Sequence, residues 1–195
     1  MKELKSVEEK ILDRALYLFG KNGSTKVSVR SIVKESEVNI GAINYYFGTK
    51  EKMLLNVKEF YIDNINKAYS QLYNEELEDE EKIIECANEI IEYSIRYPGV
   101  LVMNKEAMYA EEKDEMDLKI LESTKEANKK LDNVLKAVLN SNENEFKLKK
   151  AIFISSIIYP FLNESEEIFD EEIKTCKDKR IEYIKYVINS IKKKK

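Results

Sequence analysis

The sequence predicts an all-α fold, on three observations. Five Gly and two Pro in 195 residues leave little turn chemistry for hairpins. Apolar residues recur at helical rather than alternating spacing through most of the chain. Charged residues make up 36% of the sequence, yet regular apolar positions persist between them, which is the pattern of solvated helix faces over a core rather than of disorder. With 43% hydrophobic content, a chain of this length buries a real core, as one large domain or as a small one followed by a medium one.

The first helix opens on Ser6, Val7, Glu8, Glu9, the spacing of a capping box in which the Ser hydroxyl and the Glu carboxylate satisfy free N–H groups. Its apolar stripe is Val7, Ile11, Ala15, Leu18 and Phe19, and Asn22 and Gly23 end it. A second, short helix begins at Ser28, another capping residue, and buries Val29, Ile32 and Val33. A third begins at Asn39 and runs through Ile43 to Phe47. Ser36, Glu37 and Val38 leave room for only a three- or four-residue connection, with Val38 plugging the angle. This is the pattern of a helix-turn-helix, and equally that of a small two-helix packing unit.

Placing the third helix at 100° per residue separates these readings further. Ile43 and Phe47 face inward, Ile40 and Tyr46 flank them, and Gly41, Ala42, Asn44 and Tyr45 point away. A merely solvated helix would carry Lys and Glu on that outer face. Two tiny residues let a helix approach another surface closely, and Asn44 and Tyr45 then hydrogen-bond at its edge. A DNA major groove is such a surface, since Asn pairs bidentately with adenine.

From Lys10 to about Glu59 the chain resembles the TetR family of transcriptional regulators, in the phrases ILDRALYLFGKNG, VSVRSIVKESEVNIGAINYYF and GTKEKML. The resemblance implies a three-helix DNA-binding domain, here 1–50, followed by a larger helical ligand-binding and dimerisation domain, 51–195. It also implies repression of a palindromic operator by a homodimer, relieved by a small-molecule effector. On this reading Gly41, Ala42, Asn44 and Tyr45 meet base edges from a helix entered at Ile40, while Arg30, Asn39, Tyr46, Thr49 and Lys50 hold the DNA backbone. The chain departs from the family at two places. Ser36 and Glu37 stand where a small residue and Gly are usual in the turn, so a positive φ at Glu37 would be mildly strained. Asn44 stands where Tyr is common, which implies an altered base preference.

Thr49 caps the next helix, whose first N–H groups, with Lys50, offer a place for a phosphate. That helix is expected to run unbroken from Lys50 to about Leu77, as a lever or simply as a connector, because it contains no Pro or Gly. Further helices are expected over Glu80–Arg96, Pro98–Ala110, Glu115–Leu139, Asn144–Leu162 and from Asp170 or later to Lys192. Tyr97, Pro98 and Gly99 mark a boundary. The segment 99–110 is apolar around much of its circumference and reads as internal. Tyr93, Tyr97, Met103, Met108, Tyr109 and Phe153 are candidates to line an effector cavity, because aromatic and thioether groups adapt to apolar ligands. Glu106, if buried among them, favours a cationic ligand. The run AIFISSIIYPFL and the series Ile181, Ile184, Ile188, Ile191 carry apolar surface for both a core and a partner, and the resemblance makes these two C-terminal helices the dimer interface. The final lysines suit a frayed, solvated helix end.

The absences narrow the function. There is no His, so His-dependent triads and the commonest metal ligand are missing, and neither a metal nor a cofactor is expected. Cys86 and Cys176 form no CxxC pair and read as small buried or half-buried residues in a reducing compartment. No apolar run approaches the ~20 residues that span a bilayer, so a cytoplasmic protein without a membrane partner is expected. Residues 1–60 hold 11 basic and 8 acidic side chains and the remainder 22 and 29, so the basic character accompanies the helix-turn-helix. An enzyme is not expected. The rival is a helical interaction module that has lost DNA binding.

Overall fold

The computed structural model describes residues 6–98, 100–161 and 171–192. Among them the chain forms α1 (Val7–Asn22), α2 (Val29–Glu35), α3 (Gly41–Tyr46), α4 (Lys50–Ala68), α5 (Asp79–Arg96), α6 (Val100–Tyr109), α7 (Glu115–Leu139), α8 (Glu143–Ile158), α9 (Glu171–Thr175) and α10 (Lys177–Ile191). Two short 3₁₀ turns, Ser70–Tyr73 and Tyr159–Phe161, follow α4 and α8. The described residues contain no strand, and the all-α fold predicted from composition is the one observed. None of these helices is long and apolar enough to cross a membrane.

The chain packs as two compact units. The first holds the described residues up to Asn64 together with Tyr97–Ser123. In it α1 packs on α2 and α6, and Ile11, Leu16, Phe19, Ile32, Met53 and Val57 are buried. The buried carboxylate of Asp13 accepts from the Tyr97 hydroxyl at 2.6 Å and from the Arg14 guanidinium, so it is not left as an isolated charge. The second unit holds Ile65–Arg96 and the described residues from Thr124 onward. Its core gathers Leu72, Ile83, Ile91, Leu135, Phe153, Ile157, Ile184 and Ile188. Arg180, buried there, donates to Asn88 at 2.9 Å, to the carbonyl of Lys174 at 3.1 Å and to the carboxylate of Glu92.

Several elements differ from expectation, each for a local reason. Helix α4 stops at Ala68, where Ser70 Oγ donates to the Lys67 carbonyl at 2.8 Å and a tighter turn carries Leu72 into the core. Helix α6 begins at Val100, so Pro98 lies before the helix rather than in its first turn. It is not internal all round, because Leu101, Met108 and Tyr109 are exposed. Helix α8 ends at Ile158, two residues before Pro160, whose missing N–H cannot extend the ladder. The expected helix boundaries at Leu162 and Asp170, the boundary residue Gly99 and the last three lysines lie outside the described residues. The C-terminal helix is broken at Cys176, whose extended backbone separates α9 from α10. That break leaves Cys176 exposed, whereas Cys86 is buried and its thiol is pushed up to about 12 by desolvation and by the nearby Glu89.

Candidate nucleic-acid interface

Hydrogen bonds foreseeable from the sequence build the helix-turn-helix. Ser6 Oγ accepts from Glu9 N at 3.1 Å, and Gly23 closes α1 at φ 65°, a conformation that favours glycine. Ser28 Oγ accepts from Ser31 N at 3.0 Å and caps α2. In the turn, Ser36 is fully buried and its hydroxyl donates to the Ile32 carbonyl at 2.7 Å, which explains why a small residue is needed there. Glu37 does adopt the left-handed region, at φ 54°, and Val38 N then bonds the Val33 carbonyl at 3.1 Å to end α2. Its carboxylate extends to Lys10 on α1 at 3.1 Å, a partner that ties the strained turn to the first helix.

Helix α3 buries Ile43 and Phe47 and exposes Gly41, Asn44 and Tyr45, as its spacing predicts. Tyr45 is 82% exposed and Ile40 54%, so the outer face has no covering within the described residues. The Tyr45 and Tyr46 rings pack edge to face at 4.9 Å, which restricts where Tyr45 points. Ala42 is half-buried on the same helix. Asn39 is exposed, but its Oδ1 already accepts from Gly41 N at 2.8 Å, so its remaining free group is the amide NH2. Thr49 Oγ1 accepts from Lys52 N at 3.2 Å and starts α4 beside Lys50. The Glu51 carboxyl is held below its ordinary value by its own backbone N–H and the Thr49 hydroxyl. Among the described residues none of Arg30, Lys34, Lys50 or Lys52 is held in a salt bridge. Arg30 and Lys34 stand on α2 and Lys50 and Lys52 at the start of α4, the helices that precede and follow α3, and Lys34 and Lys52 are the two not anticipated from motif positions.

The expected effector residues divide between the two units. Tyr97 and Met103 are buried in the first, where Tyr97 packs edge to face on Phe60, and Met108 and Tyr109 are exposed there. Tyr93, half-buried, and Phe153, fully buried, belong to the second. Glu106 has a role that spacing did not reveal. Its carboxylate accepts from Thr25 N at 3.0 Å, from Thr25 Oγ1 at 2.5 Å and from Ser24 Oγ at 3.4 Å, fastening α6 to the loop just before the α2 cap. The partners lie 81 residues apart, so no local pattern announces them.

Residues 11–57 match the sequence profile described as "Bacterial regulatory proteins, tetR family". Over 71 residues, 36% of this chain and 23% of the relative, the sequence is 35% identical to an uncharacterised HTH-type transcriptional regulator, YuxN, of Bacillus subtilis. Over 90 residues, 46% of this chain and 42% of the relative, it is 31% identical to the HTH-type transcriptional repressor NicS of Pseudomonas putida. The matches thus span less than half the length of these relatives. The fold extends further. The ketosteroid transcriptional regulator KstR2 of Mycobacterium tuberculosis superposes with a TM-score of 0.70 over 98% of both chains at 15% identity. A TetR-family regulator of Bordetella parapertussis does so at 0.67 over 96% of this chain and 94% of its own, at 13% identity.

Proposed function

We propose, from the premise that this chain belongs to the TetR family of DNA-binding transcriptional regulators, that it is a ligand-responsive repressor acting as a homodimer on a palindromic operator. The observation that carries the reading is the uncovered face of α3, small at Gly41 and Ala42 and hydrogen-bonding at Asn44 and Tyr45. Asn44 and Tyr45 read base edges, with Gly41 and Ala42 permitting the approach and Ile40 meeting apolar groups at the helix entry. Arg30, Tyr46, Thr49, Lys50 and the amide of Asn39 hold phosphates and fix the register. The relative NicS, a repressor by name, supports repression as the output.

Dimerisation is supported by apolar side chains left exposed on the second unit: Leu148 and Ile152 on α8, Tyr159 just beyond it, and Tyr186 on α10. Leu148, Ile152, Ser155 and Tyr159 recur at helical spacing along one face. Two copies joined there would present recognition helices to successive major grooves ~34–36 Å apart. An effector that prefers a dimer of different half-site spacing would release the operator, and only to the extent of its differential affinity for the two states.

Selection of the purified protein on random duplexes tests this directly. A recovered palindrome establishes the reading and its half-site spacing. No enrichment by a folded dimer, repeated after refolding free of ligand, would return the interaction-module alternative. Asn44→Ala should then relax preference at one operator position by about 1–3 kcal/mol, whereas Lys50→Ala should weaken all sequences alike and lower the salt slope by ~1.

A further inference from the structure

A cleft of about 680 Å³ opens within the first unit, beside the helix-turn-helix and bounded by the α1–α2 loop, the first half of α4 and the end of α6. Its floor and lip are apolar: Phe19, Leu54, Leu55, Met103 and Tyr109. Leu55 is 42% and Tyr109 73% exposed, so large apolar side chains converge on this opening without being covered. Four carboxylates reach the same cleft, Glu51, Glu106, Asp114 and Asp117, against two ammonium groups, Lys26 and Lys58. Lys58 is shared by Asp114 and Asp117, which leaves that trio net negative. Glu106 is held by neutral donors alone, the Thr25 amide and hydroxyl and the Ser24 hydroxyl, so its charge meets no cation among the described residues. An apolar cavity with a few convergent acceptors of one sign, and an exposed aromatic ring at its lip, selects a ligand with an apolar body and a positive charge.

We infer that this cleft is a binding site for an amphipathic organic cation, whose charge is met by Glu106 and the Asp114–Asp117 pair and whose body lies on Leu54, Leu55 and Tyr109. The cation competes with Thr25 for the Glu106 carboxylate. Thr25 stands three residues before Ser28, the cap of α2, so occupation of the cleft loosens the loop that sets the start of the helix-turn-helix. Only this consequence for DNA rests on the regulator reading.

The test uses two probes of one shape and opposite charge, tetraphenylphosphonium and tetraphenylborate, titrated into the full chain by calorimetry without DNA. Saturable binding of the phosphonium, with the borate at least tenfold weaker, is expected. Glu106→Gln, which keeps an acceptor for Thr25, should weaken the phosphonium at least fivefold and leave the borate no weaker. Leu55→Lys, at an exposed position, should abolish phosphonium binding while leaving the melting temperature and circular dichroism intact. No phosphonium binding, equal binding of the two probes, or phosphonium binding indifferent to both substitutions would overturn the assignment. A separate titration on the selected operator, where the phosphonium should lower affinity, reports on the regulator reading, and failure there with the calorimetry intact leaves the site standing.

Discussion

Replacing Lys58 by Met isolates one polar cluster in the first unit, because Met preserves the length and apolar stem of the side chain while removing its charge. The Lys58 ammonium lies 2.6 Å from Asp114 Oδ2 and 2.7 Å from Asp117 Oδ1, and its side chain is only 20% exposed. Asp117 is the better-buried partner at 11%, so its charge-assisted bond is worth roughly 1.5–3 kcal/mol. Asp114 is half exposed and its pair with Lys58 contributes about 0–1 kcal/mol after screening. Without Lys58 the two carboxylates face each other, relieved in part by the N-terminal dipole of α7, which they also cap through Asp117 N and Asp114 N. The expected loss is ~2–3 kcal/mol at neutral pH, a melting-point drop of ~5–10 °C for a chain of this size.

The pH dependence gives the sharper test. Burial lowers the Lys58 ammonium, but the bonds from Asp114 and Asp117 outweigh it and hold it above its ordinary 10.5. Burial likewise raises Asp114, and the Lys58 bond with the Asp117 backbone N–H outweighs that, holding it below its ordinary 3.8. A raised Lys contributes stability that is complete below its unfolded value and is lost as pH climbs through the folded one. A depressed Asp contributes stability that is present above its unfolded value and is lost as pH falls through the folded one. The wild-type advantage over Lys58→Met should therefore be flat from about pH 5 to pH 10 and shrink on both sides. Urea melts at pH 7 and pH 3 decide it: a difference below about 1 kcal/mol at pH 7, or an undiminished one at pH 3, refutes the assignment.

Three further substitutions address other links. Ser28→Ala removes the α2 cap and should cost about 1 kcal/mol, read by urea denaturation, with operator affinity falling as the helix-turn-helix frays. Glu37→Gly should leave stability within ~0.5 kcal/mol, since relief of the left-handed backbone offsets glycine's entropy and the lost Lys10 pair, whereas Glu37→Val should cost about 1–3 kcal/mol, and equal melts for the two would contradict the strain. Arg180→Met strands Asn88 and Glu92 and should destabilise the second unit by ~2–4 kcal/mol, detectable as a lower thermal midpoint, while Glu182→Gln on the exposed side of α10 should not.

The chain's own local pattern determined its helices and which side chains of α3 face outward. Caps at Ser6 and Ser28, glycine at position 23 and the spacing of Ile43 and Phe47 act within a turn or two, so their consequences can be read in order along the sequence. The positive φ at Glu37 was not legible in that local pattern; it was suggested only by the resemblance, which has Gly at that place in the turn. Nor was the end of α4 legible, since nothing local forbids another turn and the burial of Leu72 decides it. Periodicity likewise counted Leu101, Met108 and Tyr109 as internal, because it counts apolar residues without knowing how many neighbours arrive to cover them. Only tertiary structure brought Glu106 to Thr25 and Lys58 to Asp114 and Asp117, across separations of 81, 56 and 59 residues. Such pairs carry no signal in spacing. Their partners are chosen by how the helices pack, and that choice is made by the summed burial of the whole unit rather than by any residue in it.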